Sequence, residues 1–115
     1  MSSNTLPPPV DLTDLIEDLG SQKGVISSLI EQFNIDCPRY VRTLNEAICQ
    51  KDGAKIEKTA HSMKSLLGIF QALQAYALAE EVEQRGRENK FEGIDALAVE
   101  LNQEVERVQT YLARF

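Results

Sequence analysis

This chain of 115 residues has one histidine and two cysteines, and its 12 basic side chains are outnumbered by 18 acidic ones. Each shortage excludes something. A zinc centre draws on several His and Cys ligands at short spacing, and His61 has neither a second histidine nor a neighbouring cysteine in the sequence. There is no Walker-type loop, no dinucleotide-binding glycine turn and no Gly-x-Ser-x-Gly elbow. A self-contained enzyme active site is therefore not expected, and no cofactor or metal is expected on this chain. The net charge of −6 argues against nucleic acid, whose phosphates select basic surfaces, and against anionic membranes. No apolar run approaches the ~18–20 residues that a membrane span needs. The opening residues Met1 to Thr5 are polar, with no signal-peptide core behind them, so a cytoplasmic location is expected. Cys37 and Cys49 do not form a CxxC pair. On one helix they would stand about 18 Å apart, too far to bridge, and both are expected to be reduced and largely buried.

What remains is ordinary for one globular domain: 43% hydrophobic and 26% charged residues, in a length that buries about two-thirds of the unfolded surface. Leu6-Pro7-Pro8-Pro9 cannot be helix interior, so residues 1–9 read as a flexible Pro-rich tail or linker before a domain at 10–115. Leu12, Leu15, Ile16 and Leu19 give the stripe of a short first helix, with Asp11 as cap and Gly20 as stop. Ser21 can cap a long second helix, whose stripe from Ile26 through Phe33, Cys37 and Leu44 to Ile48 keeps its phase across Pro38. That phase predicts a kinked continuous helix rather than two helices. Lys51-Asp52-Gly53 opens a third helix, and Gln71-Ala72 ends it. Ala75, Leu78, Ala79 and Val82 face inward on a fourth, while Glu80, Glu83 and Arg87 share its polar face. Ile94, Leu97, Leu101, Val105, Val108, Leu112 and Phe115 form the stripe of a fifth. Strand-like alternation is absent. The expected architecture is all-α, an antiparallel up-down-up-down four-helix bundle with a short extra helix in front.

The third helix carries the histidine. At ~100° per residue, Ile56, Ala60, Met63, Leu66, Leu67 and Phe70 gather on one arc and His61 lies at the opposite pole, facing out. Ala54, Glu57, Lys58, Lys64, Ser65 and Gly68 fall within about 60° of it. Gly68 and Ser65 are poor helix formers, costing about 1 kcal/mol and a few tenths respectively relative to Ala. Such residues around one imidazole clear space for something to dock, and two lysines beside it attract an anion.

This stretch resembles the histidine-containing phosphotransfer (HPt) domains of multistep two-component phosphorelays. Ala60-His61-Ser62-Met63-Lys64 matches their signature, with Gly68 and Ala72 where small residues are common. Ala79-Glu80-Glu81-Val82-Glu83 with Gly86-Arg87 looks like the family's following helix, and Leu29 to Phe33 with Leu44 and Ala47 like its long second helix. The sequence departs from the pattern at Ser65, Leu66, Leu67, Phe70 and Gln71.

The resemblance implies that His61 accepts a phosphoryl group from the aspartyl phosphate of a response-regulator receiver domain and passes it to another. A hybrid sensor histidine kinase stands upstream, and Mg²⁺ belongs to the receiver. Neutral imidazole is a competent nucleophile near pH 7. Lys64, one turn along, can reach a phosphoryl oxygen, and Lys58 adds to the field. Small Ser65 and Gly68 would let the partner approach. Leu12, Ile16 and Ile69 are candidates for an apolar docking patch, and Glu83 could orient the imidazole, as a polar residue does in some family members. The protein is expected to act as a monomer. The alternative is a helical adaptor that binds a receiver or kinase without carrying phosphate.

Overall fold

A computed structural model describes residues 8–19 and 22–115. Among the described residues five helices follow one another: α1 (Thr13–Leu19), α2 (Lys23–Cys49), α3 (Gly53–Ile69), α4 (Leu73–Glu88) and α5 (Ile94–Ala113). The four long ones form an antiparallel bundle in which α2 and α4 each lie against α3 and α5. No strand occurs among the described residues. No described helix is long and apolar enough to cross a membrane.

The turns are built from hydrogen bonds more than from glycine. Lys51, Gln71 and Asn89 each take a left-handed backbone, with φ of 53°, 49° and 54°. At each one the next N–H reaches back to a carbonyl five residues earlier: Asp52 to Ala47, Ala72 to Leu67 and Lys90 to Arg85. That closure satisfies carbonyls a helix end would leave orphaned. It also explains how α3 stops at Gln71-Ala72 with no proline or glycine there. Asp52 then caps α3, its side chain accepting the Lys55 N–H at 3.1 Å.

The stripes fill the core. Phe33 of α2 meets Phe70 edge to face, their centroids 5.5 Å apart, beside buried Leu44, Ile56, Met63 and Leu67. Helix α2 runs unbroken through Pro38. Two residues depart from expectation. Cys49 is exposed while Cys37 is buried, because twelve residues turn a helix by about 1200°, a third of a turn out of phase. Phe115 is exposed, because α5 ends at Ala113 and releases it from the stripe. Gly20 and Ser21, expected as stop and cap, lie outside the described residues. Gln22 precedes α2 without a side-chain cap.

Helices α3 and α4 come closest where two glycines face each other. A Cβ on Gly86 would lie 2.7 Å from Ile56 Cγ2, 2.8 Å from Glu57 N and 2.9 Å from Gly53 O. On Gly53 it would collide with the Asn89 side chain and the Gly86 carbonyl. This crossing fixes α4 beside the outward face of α3.

The short α1 is held at the far end of α3. Asp11 N–H donates to the Phe70 carbonyl at 3.1 Å, and the Gln71 amide donates to Asp14 at 2.8 Å. Val10 and Leu12 are buried beneath it. The Asp11 side chain accepts the Thr13 N–H at 3.0 Å; hydrogen bonding from the Thr13 side chain first, and then from this N–H, depresses its carboxyl pKa, while α1 itself begins two residues later than that cap.

Candidate functional site

His61 projects from the middle of α3 with 60% of its side chain exposed. Its Nδ1 lies 2.9 Å from Glu83 Oε2 on α4. An ionised carboxylate only accepts, so Nδ1 carries the proton and donates it. The neutral ring then has its lone pair on Nε2, on the open side.

Glu83 is the hub of the surrounding charges, and it is 5% exposed. Lys64 Nζ stands 2.9 Å from Oε1, and Arg87 NH2 stands 3.2 Å from Oε2. Arg87 also spans back to α3, its Nε donating to Glu57 at 2.8 Å. Burial pushes the Glu83 carboxyl pKa up, but contact with Lys64 and His61 outweighs this and leaves it below its ordinary value. The same contact raises the Lys64 ammonium. Oε1 is buried, and the Lys64 ammonium at 2.9 Å is the charge that meets it. Lys64 also passes 5.7 Å from the centre of the Tyr76 ring.

His61, Lys64 and Glu83 are thus brought together. Ser65 is exposed one turn beyond His61, with Gly68 partly exposed and Ile69 exposed further along. A Cβ on Gly68 would meet the Tyr76 ring at 3.4 Å, an ordinary contact, so the fold itself does not demand glycine there. Lys58 is exposed and lines a groove between α2 and α3 with Tyr40, Lys55 and Ser62. Ile16 is exposed on α1. Leu12, expected beside it on the docking surface, is buried instead: it precedes α1 and packs into the core.

Sequence reasoning missed three things. The burial of Glu83 at the α3–α4 seam is the first, since the sequence placed it on a polar face while offering it as a residue that could orient the imidazole. Arg87 reaches Glu57 on the other helix, and the presence of Glu57 on the His61 face was the available signal. Finally, Leu73, Tyr111 and Phe115 form an apolar groove with Leu12 and Ile16. Among the described residues, no group of three His, Cys, Asp or Glu side chains is arranged to hold a metal ion.

A family model described as the Hpt domain matches residues 28–111. The chain belongs to the Hpt-domain family. Hpt domains are histidine phosphotransfer intermediates of phosphorelays that interact with receiver domains and kinases. The crystal structure of histidine-containing phosphotransfer protein B (HptB) from Pseudomonas aeruginosa PAO1 is similar over 95% of both chains, with a TM-score of 0.87 and 21% identity. At that identity the likeness establishes the Hpt fold for this chain. Among curated protein sequences, none matches it.

Proposed function

We propose that this Hpt domain accepts a phosphoryl group on His61 from the aspartyl phosphate of one receiver domain and passes it to another receiver. The observation that carries this reading is the hydrogen bond from Nδ1–H to the buried Glu83, which leaves Nε2 unprotonated on an exposed ring. In the transfer, the Nε2 lone pair attacks phosphorus in line and the N–P bond forms. The bond from phosphorus to the aspartyl oxygen breaks, and the receiver carboxylate leaves with that electron pair. The ring retains its Nδ1 proton and becomes cationic, so the adjacent Glu83 carboxylate stabilises the charge that develops. Lys64 lies one turn from His61 and is available to the phosphoryl oxygens. Transfer to the next receiver reverses these bond changes.

The metal for this chemistry belongs to the receiver, where Mg²⁺ would sit beside the aspartate. Ser65 and Gly68 leave room for that acidic site to approach, with Lys58, Ile16 and Ile69 around it. One copy of the chain supplies all these groups, which suits a monomer.

The test is transfer of labelled phosphoryl from phosphorylated receivers, with Mg²⁺, to the wild-type protein and to His61→Gln. Label that moves to wild type, survives base, is lost in acid and is absent from the variant is the expected result. A receiver that binds both proteins equally while passing label to neither overturns the reading and leaves an adaptor.

A further inference from the structure

Lys64 and Arg87 both attend Glu83, and they are held there differently. Lys64 is on the His61 helix, one turn along, and meets Oε1 at 2.9 Å with no second carboxylate to anchor it in the contacts of this site. Arg87 is on the Glu83 helix and is anchored through its Nε by Glu57. When a phosphoryl group arrives on Nε2 it brings new negative charge within reach of Lys64, and a lysine ammonium on a flexible stem can follow it. Glu83 would then have exchanged Lys64 for the imidazolium formed on transfer, and Arg87 is the cation that stays beside it in both states.

From this geometry, and resting on the phosphotransfer reading above, we infer that Arg87 is a positioning residue that keeps Glu83 ionised and aimed at His61 Nδ1 while Lys64 moves to the phosphoryl group. The planar guanidinium suits the task, because its Nε and NH2 edges engage two carboxylates at once. Glu57 serves as the anchor one turn before His61. The contacts of Glu83 divide into an exchangeable one, Lys64 at Oε1, and a fixed one, Arg87 at Oε2 with Glu57 as its anchor. The role of Arg87 is accordingly felt mainly in the phosphorylated state. In the resting state Lys64 still neutralises Glu83.

The experiment measures the partition of phosphoryl between a receiver aspartate and His61 for wild type, Arg87→Ala, Arg87→Lys and Glu57→Gln. Arg87→Ala is expected to shift the partition toward the receiver about three- to fivefold, the upper reach of a partly exposed ion pair. Its affinity for the unphosphorylated receiver should change less than twofold. Arg87→Lys should recover little, since one ammonium cannot span both carboxylates. Glu57→Gln should give a smaller shift of the same sign. Imidazole nitrogen chemical shifts supply a readout that loss of fold alone would not give. The Nδ1 proton should be retained in phosphorylated wild type and in unphosphorylated Arg87→Ala, and weakened only in phosphorylated Arg87→Ala. A folded Arg87→Ala protein whose partition stays within twofold of wild type overturns the inference. So does a shift in partition with Nδ1 unchanged. Failure of wild type to take phosphoryl from any receiver would instead remove the phosphotransfer reading, and this inference with it.

Discussion

Replacing Gly86 with alanine puts two opposing effects in direct competition. Alanine is the better helix former, by about 1 kcal/mol in a helix interior, and Gly86 lies inside α4. That gain is reduced here because the residue sits in the last turn, where fewer helical bonds depend on it. Against it stands the new methyl, which would lie 2.7 Å from Ile56 Cγ2, 2.8 Å from Glu57 N and 2.9 Å from Gly53 O. Two of those three atoms are backbone of the opposite helix and cannot rotate away, so α3 and α4 must separate. Overpacking of this kind costs about 1–3 kcal/mol, and with rigid neighbours the upper half of that range applies.

The net expectation is a loss of about 1–2 kcal/mol, or ~4–8 °C in melting temperature for a domain of this size. Circular dichroism during thermal and urea unfolding measures it. Gly24→Ala is the matched control. Gly24 has nothing within 4 Å of its Cβ position and should be stabilised by a few tenths of a kcal/mol. A Gly86→Ala protein that melts at or above wild type would refute the argument, because helix propensity would then outweigh contact at the crossing.

Gly68→Ala should leave stability within about 1 kcal/mol of wild type, since its methyl meets only the edge of Tyr76 at van der Waals distance. Phosphotransfer should nonetheless slow about tenfold because the partner is held off, and an unchanged rate would remove Gly68 from the docking face. Glu83→Gln tests the depressed carboxyl. A group with a lowered folded pKa contributes stability that is complete above its unfolded value of 4.5 and is lost as pH falls through the folded one. The variant should therefore be less stable than wild type by about 1–2 kcal/mol near neutrality. The gap should close as pH falls below 4.5, and a gap that widens in acid would refute the assignment.

The bundle was legible because each long helix carries its own stripe, and the side chains that fill the core are those the stripes place there. Pro38 did not break α2 because the phase on either side agreed, and packing against one core overrides a single lost hydrogen bond. Helix α1 was legible as a helix but not as a packing element. None of its residues is fully buried, and the residue that anchors it, Leu12, precedes it. The outward direction of His61 followed from angular arithmetic on a single helix. That Glu83 could orient the imidazole came from the family resemblance, but its burial did not follow from the sequence, because it depends on how α3 meets α4. Along the sequence Glu83 and Arg87 form an adequate surface pair four residues apart. Only the close crossing at Gly53 and Gly86 turns Glu83 into a buried carboxylate beneath an imidazole 22 residues away.

That crossing also explains how one exposed imidazole can suffice for group transfer. A pocket around His61 would protect a nucleophile but would shut out an aspartyl phosphate borne on another protein, so the reacting nitrogen must face open solvent. Control of the ring must then come from below, and the glycine contact allows a carboxylate to lie there. Before transfer the local charges balance, with Lys64 and Arg87 against Glu57 and Glu83, so an approaching acidic partner meets no net repulsion from them. On the proposed relay, Lys64 is the cation that follows the added negative charge after transfer, while Arg87 holds the carboxylate in place. The open face and the buried carboxylate are two consequences of one helix crossing, and a change that separates the helices should impair both stability and transfer.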